Sequence, residues 1–279
     1  MHAIKQIFAA TVFGLSKTIK EANHLRRTLM SETKLIVALD YDRGKDALEM
    51  AAKLHKLDCL FKVGLQLYTN EGPDIIVRLR DYYGCKIFLD LKFHDIPNTV
   101  YGAVMAAANL GVEMLTIHAS GGAEMIKAAR QACEDSKFMS PNVLHREPPI
   151  LLAVTILTHM KDRDGLLYHW PEGIKEAATY LFNLAMKSGA QGVVCSGLEF
   201  SMLKTIADLH YNKPEDPVFV IPGIRPADYK DKDDQQRVIT PEKAAKSGMD
   251  YIVVGRPITK SDDPLRSAEE IIEQLKAGE

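Results

Sequence analysis

This sequence has no apolar run approaching the roughly 20 residues that a helix needs to cross a bilayer, so a membrane-spanning role is not expected. Cysteine is sparse. Cys59, Cys85, Cys133 and Cys195 are scattered, with no CxxC pair and no secretory-style framework. A reducing, cytoplasmic compartment is the corresponding expectation. An excess of charge of one sign is missing too. The chain carries 35 Lys+Arg against 37 Asp+Glu, a net charge of -2. That leaves no basic footprint for general nucleic-acid binding, although a local phosphate site stays open. The nine histidines form no HExxH or other metal-ligand spacing, and His118 and His159 are expected as polar wall residues. No Ser-His-Asp signature occurs. Gly14-Leu15-Ser16-Lys17-Thr18 lacks the full spacing of a phosphate-binding loop.

What is present is ordinary globular material: 279 residues, 46% hydrophobic and 26% charged. The length admits one large domain or two smaller ones. The first 30 residues stand apart, because Lys5, Lys17, Lys20, Arg26 and Arg27 face a single acid, Glu21. A targeting peptide could look like this, but the segment lacks a long apolar stretch and a persuasive cleavage site. Met30 also offers a second start. Residues 1–33 are therefore read as a poorly ordered or non-native extension, and residues 34–279 as the folded domain.

From residue 35 a rhythm sets in. Short apolar runs rich in β-branched residues fall at 35–39, 60–63, 87–91, 114–117, 151–156, 192–195, 218–221 and 251–254. Stretches of helical periodicity intervene, clearest at 46–57, 100–110, 123–134, 174–187 and 265–275. Continuous apolar strands alternating with amphipathic helices imply a parallel sheet covered by helices. Eight such units in roughly 245 residues predict an α/β fold of the closed (β/α)8 kind, a TIM barrel. A doubly wound sheet would carry a Gly-rich turn after its first strand; the turn Asp40-Tyr41-Asp42-Arg43-Gly44 has no GxGxxG. Irregular stretches are expected at 138–149, on the stability face, and at 225–240, on the catalytic face. Phe182 and Met186 are read as core.

Chemistry in such a barrel gathers where the strands end. Those ends carry Asp40, Lys62, the run from Asp90 to Asp95, His118, Thr155 with Thr158, Ser196, Pro222-Gly223-Ile224-Arg225 and Gly255-Arg256. Strand alternation predicts that Asp90 and Lys92 point inward together. Asp95 lies three residues on, within reach of this pocket or a partner's. Nearby carboxylates favour the ammonium form of Lys92, and Lys62 extends the set into an alternating Lys-Asp array. A purely structural ion-pair cluster explains this poorly, because buried pairs stabilise weakly. After the last two strands, glycines allow close backbone approach and Arg225 and Arg256 offer bidentate forks, as a phosphate requires. The 225–240 loop reads as a solvated loop or a closing lid.

The run Phe88-Leu89-Asp90-Leu91-Lys92-Phe93-His94-Asp95-Ile96-Pro97-Asn98-Thr99 resembles the signature of the orotidine 5'-monophosphate decarboxylase family. The resemblance continues in order through Val37-Ala38-Leu39-Asp40, Phe61-Lys62-Val63-Gly64, Val154-Thr155-Ile156-Leu157-Thr158, Ile221-Pro222-Gly223-Ile224-Arg225, Asp234-Gln235 and Val254-Gly255-Arg256-Pro257-Ile258. It implies a decarboxylation of orotidylate to uridylate without metal or cofactor, the last step of de novo UMP synthesis. By that resemblance Lys92 protonates C6, Asp90 faces the substrate carboxylate and Lys62 belongs to the same network. Asp40 binds the ribose, Thr158 reads the pyrimidine edge, and Pro222, Arg225, Gln235, Gly255 and Arg256 surround the phosphate. Asp95 and Thr99 reach the neighbouring active site of a homodimer. The alternative is a magnesium-dependent sugar-phosphate decarboxylase or aldolase of the same barrel superfamily, such as 3-keto-L-gulonate 6-phosphate decarboxylase or hexulose phosphate synthase. Those share the Asp-x-Lys-x-x-Asp strand but carry a metal-binding Glu in place of Lys62. A catalytically silent nucleotide-binding barrel is a third reading, which the intact Asp90, Lys92 and Asp95 disfavour.

Overall fold

A computed structural model describes residues 32–139, 147–161, 170, 173–211, 216–227, 229 and 239–278. Residues 1–31 of the expected extension and Gln235 lie outside the described residues, whereas Thr33 is buried and its Oγ1 donates to the Met249 carbonyl at 2.7 Å. Eight strands form one closed parallel barrel in chain order. They are β1 (Lys34–Ala38), β2 (Cys59–Gly64), β3 (Lys86–Phe93), β4 (Met114–His118), β5 (Ile150–Val154), β6 (Gly192–Val194), β7 (Val218–Ile221) and β8 (Tyr251–Val254). Closure is direct, with Leu35 opposite Ile252 and Val37 opposite Val254.

The helices among the described residues are α1 (Gly44–Leu54), α2 (Leu65–Glu71), α3 (Asp74–Tyr83), α4 (Pro97–Asn109), α5 (Ala123–Met139), α6 (Ile174–Lys187), α7 (Gly197–His210), α8 (Pro241–Lys246), α9 (Arg256–Thr259) and α10 (Pro264–Gly278). Five of them, α2, α3, α7, α8 and α9, exceed the clear periodic stretches of the sequence. The short helices α2, α8 and α9 present too few turns for a stripe to show, and Gly72-Pro73 cuts what would be one longer helix into α2 and α3. In α7 the Ser196 hydroxyl accepts from the Leu198 N–H at 3.2 Å and so caps the helix. Among the boundaries that differ from expectation, two bear on the loops. Phe138 and Met139 belong to α5 rather than to an irregular stretch, and β5 ends at Val154, so Thr155 and Ile156 lie in the loop beyond it.

Alternation along each strand separates two apolar layers. Ile36, Ala38, Leu60, Phe88, Met114, Leu152, Val220 and Val253 fill the barrel interior. Leu35, Val37, Leu39, Phe61, Ile87 and Leu89 face the helices instead, in a larger cluster that includes Phe182, with Met186 packed against it. Each large side chain so buried stabilises the fold by roughly 1.5–3 kcal/mol. Gly192 is required at the start of β6, because a Cβ there would collide with the Val218 carbonyl and the Leu152 side chain. All four cysteines are free and buried; burial pushes the Cys59, Cys85 and Cys133 thiols up to about 12. No helix among the described residues is long and apolar enough to cross a membrane.

Candidate active site

A cavity of about 420 Å³ opens at the carboxyl ends of the strands. Its charged side comes from β1 to β3. Asp40 follows β1, where the Leu39 N–H donates to the Lys62 carbonyl at 2.9 Å and draws the two strand ends together. Lys62 Nζ then stands 2.9 Å from Asp40 Oδ1 and 3.8 Å from Asp90 Oδ2. Lys92 Nζ donates to Asp90 Oδ1 at 2.8 Å. The array thus runs Asp40–Lys62–Asp90–Lys92. Asp40 is the open end, with its side chain 58% exposed, against 12% for Lys62 and 13% for Asp90. Burial acts to raise the Asp90 carboxyl, yet the Lys62 and Lys92 charges, with hydrogen bonds from Lys92 and Thr116, outweigh it and hold Asp90 below its ordinary value. The carboxylate stays ionised between two ammonium groups.

Asp90 and Lys92 both line the cavity, as alternation predicts, while Leu91 and Phe93 pack on the helix side, but the strand between them is not regular. The β3–β4 register shifts between Leu89 and Phe93, and Lys92 takes φ 53°, the only positive φ outside glycine among the described residues. The strand bulges there without turning Asp90 and Lys92 away from the cavity. At its Lys92 end the array stops short of Asp95, which was expected within reach of this pocket or of a partner's. Asp95 is exposed and does not line the cavity of its own chain; its Oδ1 accepts from the Ile96 N–H at 2.6 Å. Thr99, on the first turn of α4, is exposed as well. At the other end Asp40 extends the array beyond Lys62.

The opposite wall is different in kind. Val154, Ile156, Val194 and Cys195 line it, with Thr158 and His159 at the rim. Pro222, Gly223, Arg225, Gly255 and Arg256 complete the ring from β7 and β8. Gly223 has φ 79°, which turns the chain directly after β7. Arg225 is only 9% exposed, donates from Nη1 to the Ile224 carbonyl at 2.8 Å, and lies 5.7 Å from the Tyr229 ring centroid. Arg256 opens the short helix α9. Of the expected site residues, Asp40, Lys62, Asp90, Lys92, Thr158, Pro222, Arg225, Gly255 and Arg256 therefore meet in one cavity. His159 belongs to that wall, as expected. His118 does not line the cavity and instead packs 5.5 Å from the His94 ring. Thr116 was missed by sequence reasoning, although a lone polar residue on the inward face of an apolar strand, two before His118, was a usable signal. Among the described residues no group of three His, Cys, Asp or Glu is placed to hold a metal ion.

A closed barrel with this charged cavity at its carboxyl face defines an enzyme of the (β/α)8 class. The chain belongs to the orotidine 5'-phosphate decarboxylase / HUMPS family, whose model matches residues 33–271. It is 42% identical over 244 residues to the orotidine 5'-phosphate decarboxylase of Saccharophagus degradans, covering 88% of this chain and 95% of that one. The enzyme of the same name from Aliivibrio salmonicida is 45% identical over 240 residues, covering 84% and 94%. The crystal structure of orotidine 5'-phosphate decarboxylase from Lactobacillus acidophilus superposes with a TM-score of 0.71 at 40% identity, over 87% of this chain and 99% of that one.

Proposed function

We propose that this chain is a carboxy-lyase that converts orotidine 5'-phosphate to UMP and CO2, in the last step of pyrimidine-nucleotide synthesis. The observation that carries this reading is the Asp40–Lys62–Asp90–Lys92 array facing Arg225 and Arg256 across a single cavity. The relatives named above support the substrate. In the reaction the C6–carboxylate bond breaks, CO2 departs, and the electron pair stays on C6 in the ring plane, where the π system cannot delocalise it. The Lys92 ammonium stabilises that developing charge and then transfers its proton to C6. Water restores the lysine proton afterwards. Asp90 faces the departing carboxylate, a ground-state effect that adds to the charge stabilisation. Lys62 holds Asp90 and Asp40 in line, and Asp40 binds the ribose.

Thr158 reads the pyrimidine edge. Pro222, Arg225, Gln235, Gly255 and Arg256 surround the phosphate, whose binding energy is spent on preorganising the remote reacting carbon. Asp95 and Thr99 act in the neighbouring site of a homodimer. Their exposure beside Ile96, which is 66% exposed, supports a face turned toward a second copy. A reducing, cytoplasmic location accords with four free buried thiols. The reading needs no metal and no cofactor. A divalent cation would have to displace an ammonium already bridging Asp40 and Asp90, which weighs against the magnesium-dependent sugar-phosphate alternative.

Purified protein mixed with orotidine 5'-phosphate should remove the orotidylate absorbance, with and without EDTA. Activity on a sugar phosphate that EDTA removes, with none on the nucleotide, would transfer the assignment to the alternative.

A further inference from the structure

Strand β3 pairs with β4 at Phe88–Met114 and Leu89–Leu115 and resumes at Phe93–Ile117. Asp90, Leu91 and Lys92 therefore oppose the single residue Thr116. A bulge of this kind leaves backbone groups without their ladder partners. It also forces Lys92 to φ 53°, a conformation that long L side chains rarely adopt and that persists only when its surroundings hold it. One buried side chain does the holding. Thr116 is 0% exposed. Its Oγ1 accepts from the Lys92 N–H at 2.9 Å and donates to Asp90 Oδ1 at 3.0 Å. That same carboxylate oxygen accepts from Lys92 Nζ at 2.8 Å. The hydroxyl is thus tied to Lys92 through its backbone and, by way of Asp90, through its ammonium.

We propose that Thr116 is a positioning residue for the decarboxylation, its hydroxyl locking the left-handed Lys92 backbone and the Asp90 carboxylate so that the ammonium is aimed at C6. The inference rests on the reading of Lys92 as the proton donor. Its chemistry is specific, because a hydroxyl donates and accepts at once. Valine, with nearly the same shape, does neither. The cost of the loss falls on aim rather than on affinity, since displacements of about 1 Å at a reacting group reduce rates on the order of 10²-fold. The other groups facing Asp90 are Lys62 from β2, Lys92 from β3 and His118 from β4. None of them contacts the Lys92 N–H.

The test compares Thr116→Val with Thr116→Ser, with Thr116→Ala replacing valine should that variant not fold. Thr116→Val should lower kcat roughly 10- to 100-fold, with KM for orotidine 5'-phosphate changed less than about threefold and UMP binding retained. Thr116→Ser should stay within about threefold of the parent. Carbon-13 titration of the Asp90 carboxyl, assigned with Asp90→Asn, should move upward in the valine variant and not in the serine variant. Full kcat in Thr116→Val, an equal loss in Thr116→Ser, or an unmoved Asp90 titration would overturn the inference. The titration does not depend on turnover. A parent protein inert toward orotidine 5'-phosphate would therefore sink the functional reading, while the titration still decides whether Thr116 holds Asp90.

Discussion

The two halves of the barrel mouth are built on opposite principles. Strands β1 to β4 supply four alternating charges and the hydroxyl that braces them, all linked by contacts of 2.8–3.8 Å. Strands β5 to β8 supply an apolar wall and then two guanidinium groups flanked by glycines. In the proposed reaction the first half serves charge that changes, which works best in a site sheltered from water. The second half is suited to a charge that does not change, a phosphate, and to packing against a ring. On the proposed function, the charges of the reacting centre and those of the phosphate site come from different strands of one barrel.

Variants on the two sides should therefore fail in different ways. Lys92→Ala should still bind UMP but lose turnover by on the order of 10⁴-fold, since both charge stabilisation and proton delivery go with it; near-normal steady-state turnover would break the division at its strongest point. Leu152→Ala, beneath the apolar wall on β5, should destabilise the fold by about 2–5 kcal/mol in urea titrations, with kcat per folded molecule unchanged. Arg256→Ala should raise KM for the nucleotide roughly 10- to 100-fold. That penalty should vanish on a substrate lacking the phosphate, and a kcat loss persisting there would place Arg256 in the chemistry.

The smallest effect concerns His118. Burial first, then the His94 and Lys92 charges, hold its ring below its ordinary value, against an opposing pull from Asp90. As pH falls the unfolded chain takes up this proton first, so the stability contributed is complete above about 6.5 and declines below it. His118→Asn should shrink the drop in Tm between pH 7.5 and pH 5.5. An unchanged drop would remove His118 from the acid response.

Much of this architecture was legible in the chain. The β7 and β8 runs at 218–221 and 251–254 and the α6 stretch at 174–187 coincide with the observed elements, because buried strands and amphipathic helices write their periods locally. Asp90, Lys92, Arg225 and Arg256 were legible as charges at strand ends, where only a site accounts for them. The pairing of Asp90 with Lys92 and Lys62 was legible too, but other contacts of the array were not. Asp40 contacts Lys62 across 22 residues, and Thr116 contacts Asp90 across 26. Periodicity assigns a residue to a face but not to a height in the barrel. Asp95 illustrates the converse: three residues from Lys92 in sequence, it lies outside the cavity of its own chain.

The sequence by itself determined the number of strands, their parallel order and the kinds of charge at their ends, since all three follow from local apolar patterning and from where polar residues interrupt it. Tertiary structure alone decided that Asp40 meets Lys62 and that Thr116 meets Asp90. Closing the barrel set the stagger of each strand against its neighbour, and the bulge opposite Thr116 turned Lys92 to a backbone angle that no local preference would select. The physical reason is that strand register is a property of pairs of strands, fixed only when residues distant in the chain come to share one cavity.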